Sequence, residues 1–301
     1  MSELWLIDAL KTLCPSNSSI ILGIDDDTAI LRPTQYETLV CADMLMEGVH
    51  FILADAGPAA VGHKALAVNL SDIAAMGGKA LSAYVSLALP RSLANEEFIL
   101  DFYRGMSTLA QDFDIAIAGG DTNLWDGPFA VNVTVLGEAH EKGAIRRSGA
   151  KVGDQLYVTG PLGGSIASHH LNFRPRLDEA KLLMDNFDLS SMMDLSDGLA
   201  KDLRSICMQS GVSALLDRQT IPLRDTLKNN PDALRHALCD GEDFELCFTL
   251  SRAEAERLKK DPRFAFCTDI GGIIEGKDIF WSDDRSPMLW QGFEHGKNQK
   301  G

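Results

Sequence analysis

Eight aspartates carry the chemistry this chain can offer: Asp25, Asp26 and Asp27 in one run, then Asp43, Asp72, Asp121, Asp194 and Asp197. Most stand where an apolar run stops or a turn begins. Asp43 follows Leu39-Val40-Cys41-Ala42, Asp121 follows Gly119-Gly120, and Asp194 and Asp197 frame Leu195-Ser196 before Gly198. Carboxylates gathered in one cleft repel one another and lose solvation, so such a grouping is tolerable only around cations. Oxygen donors with no accompanying His or Cys select magnesium over zinc. Magnesium on scattered aspartates beside Gly-rich turns serves phosphate chemistry.

Taken singly, most of these residues have ordinary readings. Asp25–27 reads as a solvated acidic turn, Asp43 as a polar residue closing a strand, and Asp194 to Asp197 as a helix cap. Asp72 is harder to dismiss, because it sits on a helical pattern among Asn69, Leu70, Ile73 and Ala74, where a lone acid is out of place. Gly119-Gly120 would let a ligand approach the backbone at a strand end. The usual nucleotide and hydrolase motifs are missing. The run from Gly57 to Ala65 only approaches a phosphate loop, since His63 separates Gly62 from Lys64 and Ala65 stands where a hydroxyl should meet magnesium. Protein-kinase loops, a nucleophile elbow, a zinc-protease helix and EF-hand spacing are all absent.

The elements that must position these residues read as two α/β halves. In the first, strands are expected at 19–22, 38–42, 83–89, 115–118 and 130–136, with helices at 59–76 and 96–110. In the helix at 59–76, Val61, Ala65, Leu66, Val68 and Ile73 supply the apolar stripe. A charged, Gly-containing stretch places a junction near 140–152, so domains of 1–140 and 150–301 are expected. The second half reads as strands at 155–159, 213–217 and 243–250, with helices near 164–170, 176–186, 197–210, 231–238 and 251–260.

At 301 residues the chain is long enough for two such domains, and 45% hydrophobic with 24% charged residues is a soluble globular composition. A formal charge of -15 argues against a nucleic-acid or anionic-membrane partner. It leaves an anionic substrate open, since bound magnesium reverses the local field. Six dispersed cysteines without C-x-x-C spacing, and a start lacking a signal-peptide pattern, lead us to expect a reducing, cytoplasmic setting.

Seven ordered blocks together resemble thiamine-monophosphate kinase, within the superfamily of aminoimidazole-ribonucleotide synthase. They are Gly-Ile-Asp-Asp-Asp-Thr-Ala (23–29), Asp-Met-Leu-Met-Glu-Gly-Val-His-Phe (43–51), Lys-Ala-Leu-Ala-Val-Asn-Leu-Ser-Asp-Ile-Ala-Ala-Met-Gly (64–77), Gly-Gly-Asp-Thr (119–122), Arg-Ser-Gly-Ala-Lys-Val-Gly-Asp (147–154), Asp-Leu-Ser-Asp-Gly-Leu (194–199) and Gly-Glu-Asp-Phe-Glu-Leu (241–246). The resemblance implies a two-domain α/β chain that dimerises through its N-terminal domain, with ATP bound between domains and across the dimer. It implies magnesium on Asp26, Asp27, Asp43, Asp72, Asp121, Asp194 and Asp197. ATP would meet Gly120, Asp121, Arg147 and Ser196, while thiamine monophosphate would meet His50, Glu242 and Phe293. Four departures stand out: Asp25 replaces a Gly, Cys41 and Ala42 replace hydroxyl residues, Asn123 to Asp126 follow Asp121-Thr122 unusually, and Asp240 replaces a Gly.

The acceptor would be a phosphate monoester, largely anionic at neutral pH, so no general base is expected. The obstacle is repulsion between two phosphates, which magnesium offsets while the protein aligns donor and acceptor. Two competing readings are another ATP-using member of the superfamily and a non-catalytic nucleotide-binding paralogue. Cys14-Pro15-Ser16 does not look like the reactive-cysteine loop a selenide-activating relative would need.

Overall fold

The computed structural model describes residues 3–24 and 28–293, so Asp25, Asp26 and Asp27 lie outside the described residues. The chain forms two compact units. One comprises Met1–Ile73, Gly78–Gly143 and Leu171–Leu177, and the other Ala74–Gly77, Ala144–His170 and Asp178–Gly301.

The first unit is built from α1 (Glu3–Leu13), β1 (Ile20–Leu22), β2 (Ile30–Leu31), β3 (Thr38–Met46), α2 (Leu53–Ala56), α3 (Pro58–Ala75), β4 (Lys79–Pro90), α4 (Glu96–Asp112), β5 (Ala116–Trp125) and β6 (Ala130–Glu138). Four strands form a mixed sheet in the order β3-β6-β4-β5, in which only β4 and β5 run parallel. Helix α3 lies against β3, and α4 crosses α3 at very short range. A Cβ on Gly62 would stand 2.0 Å from the Phe102 carbonyl oxygen, and one on Gly105 1.9 Å from that of Ala59, so only glycine fits at the crossing. The role of Gly62 is therefore helix packing. Phe51, Phe98 and Phe102 meet the ring of Phe129 edge-on at 5.4–6.0 Å, closing the core beside the sheet.

Strand β3 explains a difference from the sequence reading. Leu39, Cys41, Asp43 and Leu45 point one way, while Val40 and Met44 point the other and remain 62% and 56% exposed. Both faces are apolar, so the alternation that marks a half-buried strand is blurred, and the strand runs four residues past Ala42. Likewise β5 continues through Gly119-Gly120 to Trp125. Asp43 and Asp121 thus lie within strands, and not at strand ends.

The second unit holds β7 (Gln155–Thr159), α5 (His169–Asn172, whose last two residues belong to the first unit), α6 (Leu177–Asn186), β8 (Leu189–Asp194), α7 (Leu199–Ser210), β9 (Ser213–Leu216), α8 (Ala233–Cys239), β10 (Leu246–Leu250), α9 (Arg252–Leu258), β11 (Cys267–Ile274) and β12 (Ile279–Trp281). Its six-stranded sheet has the order β12-β9-β11-β7-β10-β8. Leu199, Leu203 and Ile206 of α7 pack with Leu156, Val158, Met193 and Leu216 in one apolar core. The expected helix at 164–170 is a single 3-10 turn, Ser165–Ala167, followed by α5. The expected strand at 243–250 begins only at Leu246, because Glu242 and Phe244 adopt left-handed backbone angles of φ 54° and 49°. No disulfide joins any of the six cysteines. Among the described residues no helix is long and apolar enough to cross a membrane.

Candidate active site

In the first unit, α3 brings Asp72 against Asp43 of β3. Asn69, one turn before Asp72, is fully buried; its Oδ1 accepts the Asp43 amide at 3.1 Å and its Nδ2 donates to the Ala65 carbonyl at 3.1 Å. The Cys41 thiol donates to the Asn69 carbonyl at 3.3 Å. The strand is thereby pinned to the helix at Cys41 and at Asp43 itself. The Asp43 and Asp72 carboxyls are in hydrogen-bond contact, and burial holds the Asp43 carboxyl above the usual carboxylate range despite that contact. Two carboxyls this close share a proton or share a cation. Magnesium characteristically takes one or two carboxylates and leaves its other positions to water and phosphate oxygens, so this pair suits it.

His50 follows β3 in a turn. Its backbone amide donates to the Met46 carbonyl at 3.0 Å, and its Nδ1 accepts the Met46 amide at 3.1 Å. Its carbonyl accepts from Lys64 Nζ at 2.7 Å. Lys64 is completely enclosed, and that contact uses its charge to hold the turn carrying His50.

Asp121 is placed differently. It is exposed on β5, where its Oδ2 accepts from Asn123 Nδ2 at 2.7 Å. Gly120 owes its identity to the sheet: a Cβ there would stand 2.0 Å from the Val85 carbonyl oxygen of β4. The strand register puts Asp121 on the face opposite Asp43.

The second unit gathers a second acidic group where β8 turns into α7. Asp194 ends β8 and is buried, and Asp197 lies in the turn. Asp202 of α7 accepts the Asp197 amide at 3.0 Å through Oδ2. Burial, reinforced by the charges of Asp194 and Asp197, raises the Asp202 carboxyl well above its ordinary value. Asp197 pairs with Lys201 Nζ at 2.6 Å, and the same Nζ donates to the Phe293 carbonyl at 2.8 Å. The Phe293 amide in turn donates to the Asp197 carbonyl at 2.9 Å. Glu242 joins from the segment before β10: its amide donates to the Ser196 carbonyl at 2.7 Å. Asp194, Ser196, Asp197, Glu242 and Phe293 therefore converge on one turn. Trp290 instead packs edge-on against Trp281, at 5.9 Å.

Beneath Glu242 is a buried polar layer. Asp243 accepts the Gly163 amide at 2.9 and 3.1 Å and pairs with Arg224 Nη2 at 3.1 Å. Burial pushes its carboxyl up to about 7, with Arg224 opposing. Glu245 accepts from Thr159 Oγ1 at 2.6 Å.

Two family models match this chain: AIR synthase related protein, N-terminal domain, at residues 25–139, and the corresponding C-terminal domain at 151–282. The thiamine-monophosphate kinase of Rhodopirellula baltica is 35% identical over 295 residues, covering 92% of each chain. The chain belongs to the thiamine-monophosphate kinase family. A crystal structure of that kinase from Stenotrophomonas maltophilia K279a superimposes with a TM-score of 0.83 at 32% identity, covering 95% of this chain and 98% of the other. AaThiL complexed with AMPPCP and TMP superimposes with a TM-score of 0.76 at 30% identity, covering 97% and 96%.

Among the described residues each unit thus holds one acidic group; within the first unit Asp121 stands apart from Asp43 and Asp72, and within the second Arg147 stands apart from the Asp197 turn. Arg147 is exposed, and its carbonyl accepts from Ser210 Oγ at 3.2 Å, at the far end of α7 from the Asp197 turn. The length of that helix, about 17 Å, separates the two. Asp202 joins the second group from a position that none of the sequence motifs marks. Its signal was available, since it lies on the buried stripe with Leu199, Leu203 and Ile206, as Asp72 lies among apolar neighbours. Among the described residues no three His, Cys, Asp or Glu side chains form a complete metal site.

Proposed function

We propose that the chain phosphorylates thiamine monophosphate with ATP, giving thiamine diphosphate and ADP by direct in-line transfer assisted by several magnesium ions. An oxygen of the acceptor phosphate bonds to the γ-phosphorus as the bond to the β,γ-bridging oxygen breaks, and ADP leaves. The Asp43–Asp72 carboxyl contact carries this reading, in a chain whose relatives are kinases of that substrate. Magnesium, when bound, would offset the repulsion between the two phosphates.

The protein's part is to bind and align. Asp43 and Asp72 form one ion platform, and Asp194 and Asp197 offer carboxylates at the second acidic turn. Asp121, on the other sheet face, serves separately, and Asp26 and Asp27 are assigned as ligands by family likeness. Gly120, Asp121, Arg147 and Ser196 are assigned to ATP. Phe293 and Glu242, held on one turn, suit a flat, amino-bearing heterocycle, and His50 suits the acceptor phosphate. The N-terminal domain would supply most metal contacts and the C-terminal domain the organic end of the substrate. The AaThiL complex with AMPPCP and TMP supports both ligands for this chain.

We also propose a homodimer through the sheet of the N-terminal domain, in a reducing cytoplasmic setting. Val40, Met44 and Met46 are exposed on one sheet face, which a second copy would cover. Coupled measurement of ADP release tests the function: release should require both thiamine monophosphate and Mg²⁺. ATP binding with no turnover on this acceptor would instead favour a binding paralogue.

A further inference from the structure

We propose that His170 is a positioning residue for Glu242, fixing the carboxylate that receives the organic end of the substrate. The inference rests on the assignment of Glu242 to thiamine monophosphate.

Three consecutive residues, Gly241, Glu242 and Asp243, each receive a hydrogen bond from the segment 165–170. Ser165 Oγ donates to the Gly241 carbonyl at 2.5 Å, and His169 Nε2 to the Asp243 carbonyl at 3.1 Å. Between them His170 Nδ1 stands 2.8 Å from Glu242 Oε2, with the two side chains only 12% and 21% exposed. The first two bonds hold the backbone, and the third holds the functional group itself. Glu242 needs such support because its own backbone is left-handed, at φ 54°, a conformation that costs a non-glycine residue free energy unless neighbours over-determine it. Its amide is already committed to Ser196.

A glutamate side chain loses rotamer freedom when a ligand binds it, and that loss weakens binding. A carboxylate tied through one oxygen has lost that freedom beforehand. It also meets an amino-bearing ring at one defined angle. His170 therefore acts on the affinity for the heterocycle and leaves phosphoryl transfer alone. The sequence supports a dedicated role: two adjacent histidines occupy the start of a short helix, and their two rings serve two different atoms of the same turn.

The test uses the full chain and compares wild type, His170→Ala, His170→Asn, Glu242→Gln and the double variant His170→Ala/Glu242→Gln. KM and kcat for thiamine monophosphate are measured together with its Kd by calorimetry without ATP, and folding is checked by circular dichroism. His170→Ala should raise KM and Kd about tenfold with kcat within about twofold. His170→Asn, which keeps a donor near the Nδ1 position, should restore most of the affinity. In the Glu242→Gln background the alanine substitution should add little. If Glu242→Gln weakens binding but His170→Ala does not, or if His170→Asn is as impaired as His170→Ala, the positioning role is overturned. If Glu242→Gln itself changes nothing, the assignment of Glu242 fails and takes this inference with it.

Discussion

Asp43 and Asp121 stand on opposite faces and opposite edges of one four-stranded sheet. Asp43 pairs across the strands with Val133, Val133 with Val85, and Val85 with Gly120, so these share a face. The next row, Met44, Asn132, Ser86 and Asp121, faces the other way. Three strand spacings, ~14 Å, lie between the two aspartates. Within one chain they cannot close on a single ion, so their substitutions should fail differently.

Asp43→Asn should lower kcat about 10²–10³-fold and also reduce the rise in Tm on adding Mg²⁺, because it removes one arm of the Asp43–Asp72 pair. Asp121→Asn should lower turnover while leaving that Mg²⁺-dependent rise in place. Thermal shift with and without Mg²⁺, beside steady-state rates, separates the two. Identical behaviour of both variants would contradict the separation.

Cys41 shares the sheet face of Asp43 and donates its thiol to Asn69. A hydroxyl in its place keeps that bond and offers magnesium a hard donor that sulfur does not. Cys41→Ser should lower the Mg²⁺ concentration for half-maximal activity, read from a metal titration at saturating ATP. An unchanged or raised requirement would remove Cys41 from the metal's surroundings.

Legibility in the sequence followed how sharply each element's pattern contrasts with its neighbours. Helix α3 was readable because Val61, Ala65, Leu66, Val68 and Ile73 repeat at helical spacing, and Asp72 showed as an acid among them. Strand β8 was not, because Ser190 and Ser191 break its apolar run; Ser191 is nonetheless buried and bonded to Thr249 at 2.8 Å, a partner 58 residues away. Strand β5 reads as shorter than it is because Gly119-Gly120 resembles a turn, whereas Gly120 answers the close approach of Val85. The acidic turn at 194–197 was recognisable as a motif, but its ties to Glu242 and Phe293 are backbone hydrogen bonds over long sequence separations, which carry no local signal.

Asp243 predicts a pH dependence of stability. Burial raises its carboxyl to about 7 in the folded chain, against about 3.9 unfolded. A raised carboxyl contributes stability that is fully present below the unfolded value and is lost as pH rises through about 7. Between pH 4 and 8 the wild type should therefore lose stability relative to Asp243→Asn, by no more than ~4 kcal/mol. Urea titrations of both proteins across that range measure the difference. Parallel pH profiles would show that Asp243 is ionised throughout.

Ser210 Oγ accepts the Gly149 and Ala150 amides, each at 3.1 Å, and donates to the Arg147 carbonyl. It holds the turn that presents Arg147. Ser210→Ala should raise KM for ATP about fivefold with KM for thiamine monophosphate unchanged, and Ser210→Thr should recover part of it. A rise in both constants would mean a general loss of structure.

The most direct measurement follows the γ-phosphoryl group. With γ-labelled ATP, Mg²⁺ and thiamine monophosphate, the label should appear in thiamine diphosphate, one for each ADP formed, with none retained on the protein. Label released only as inorganic phosphate, or held on the polypeptide, would contradict direct transfer between the two phosphates.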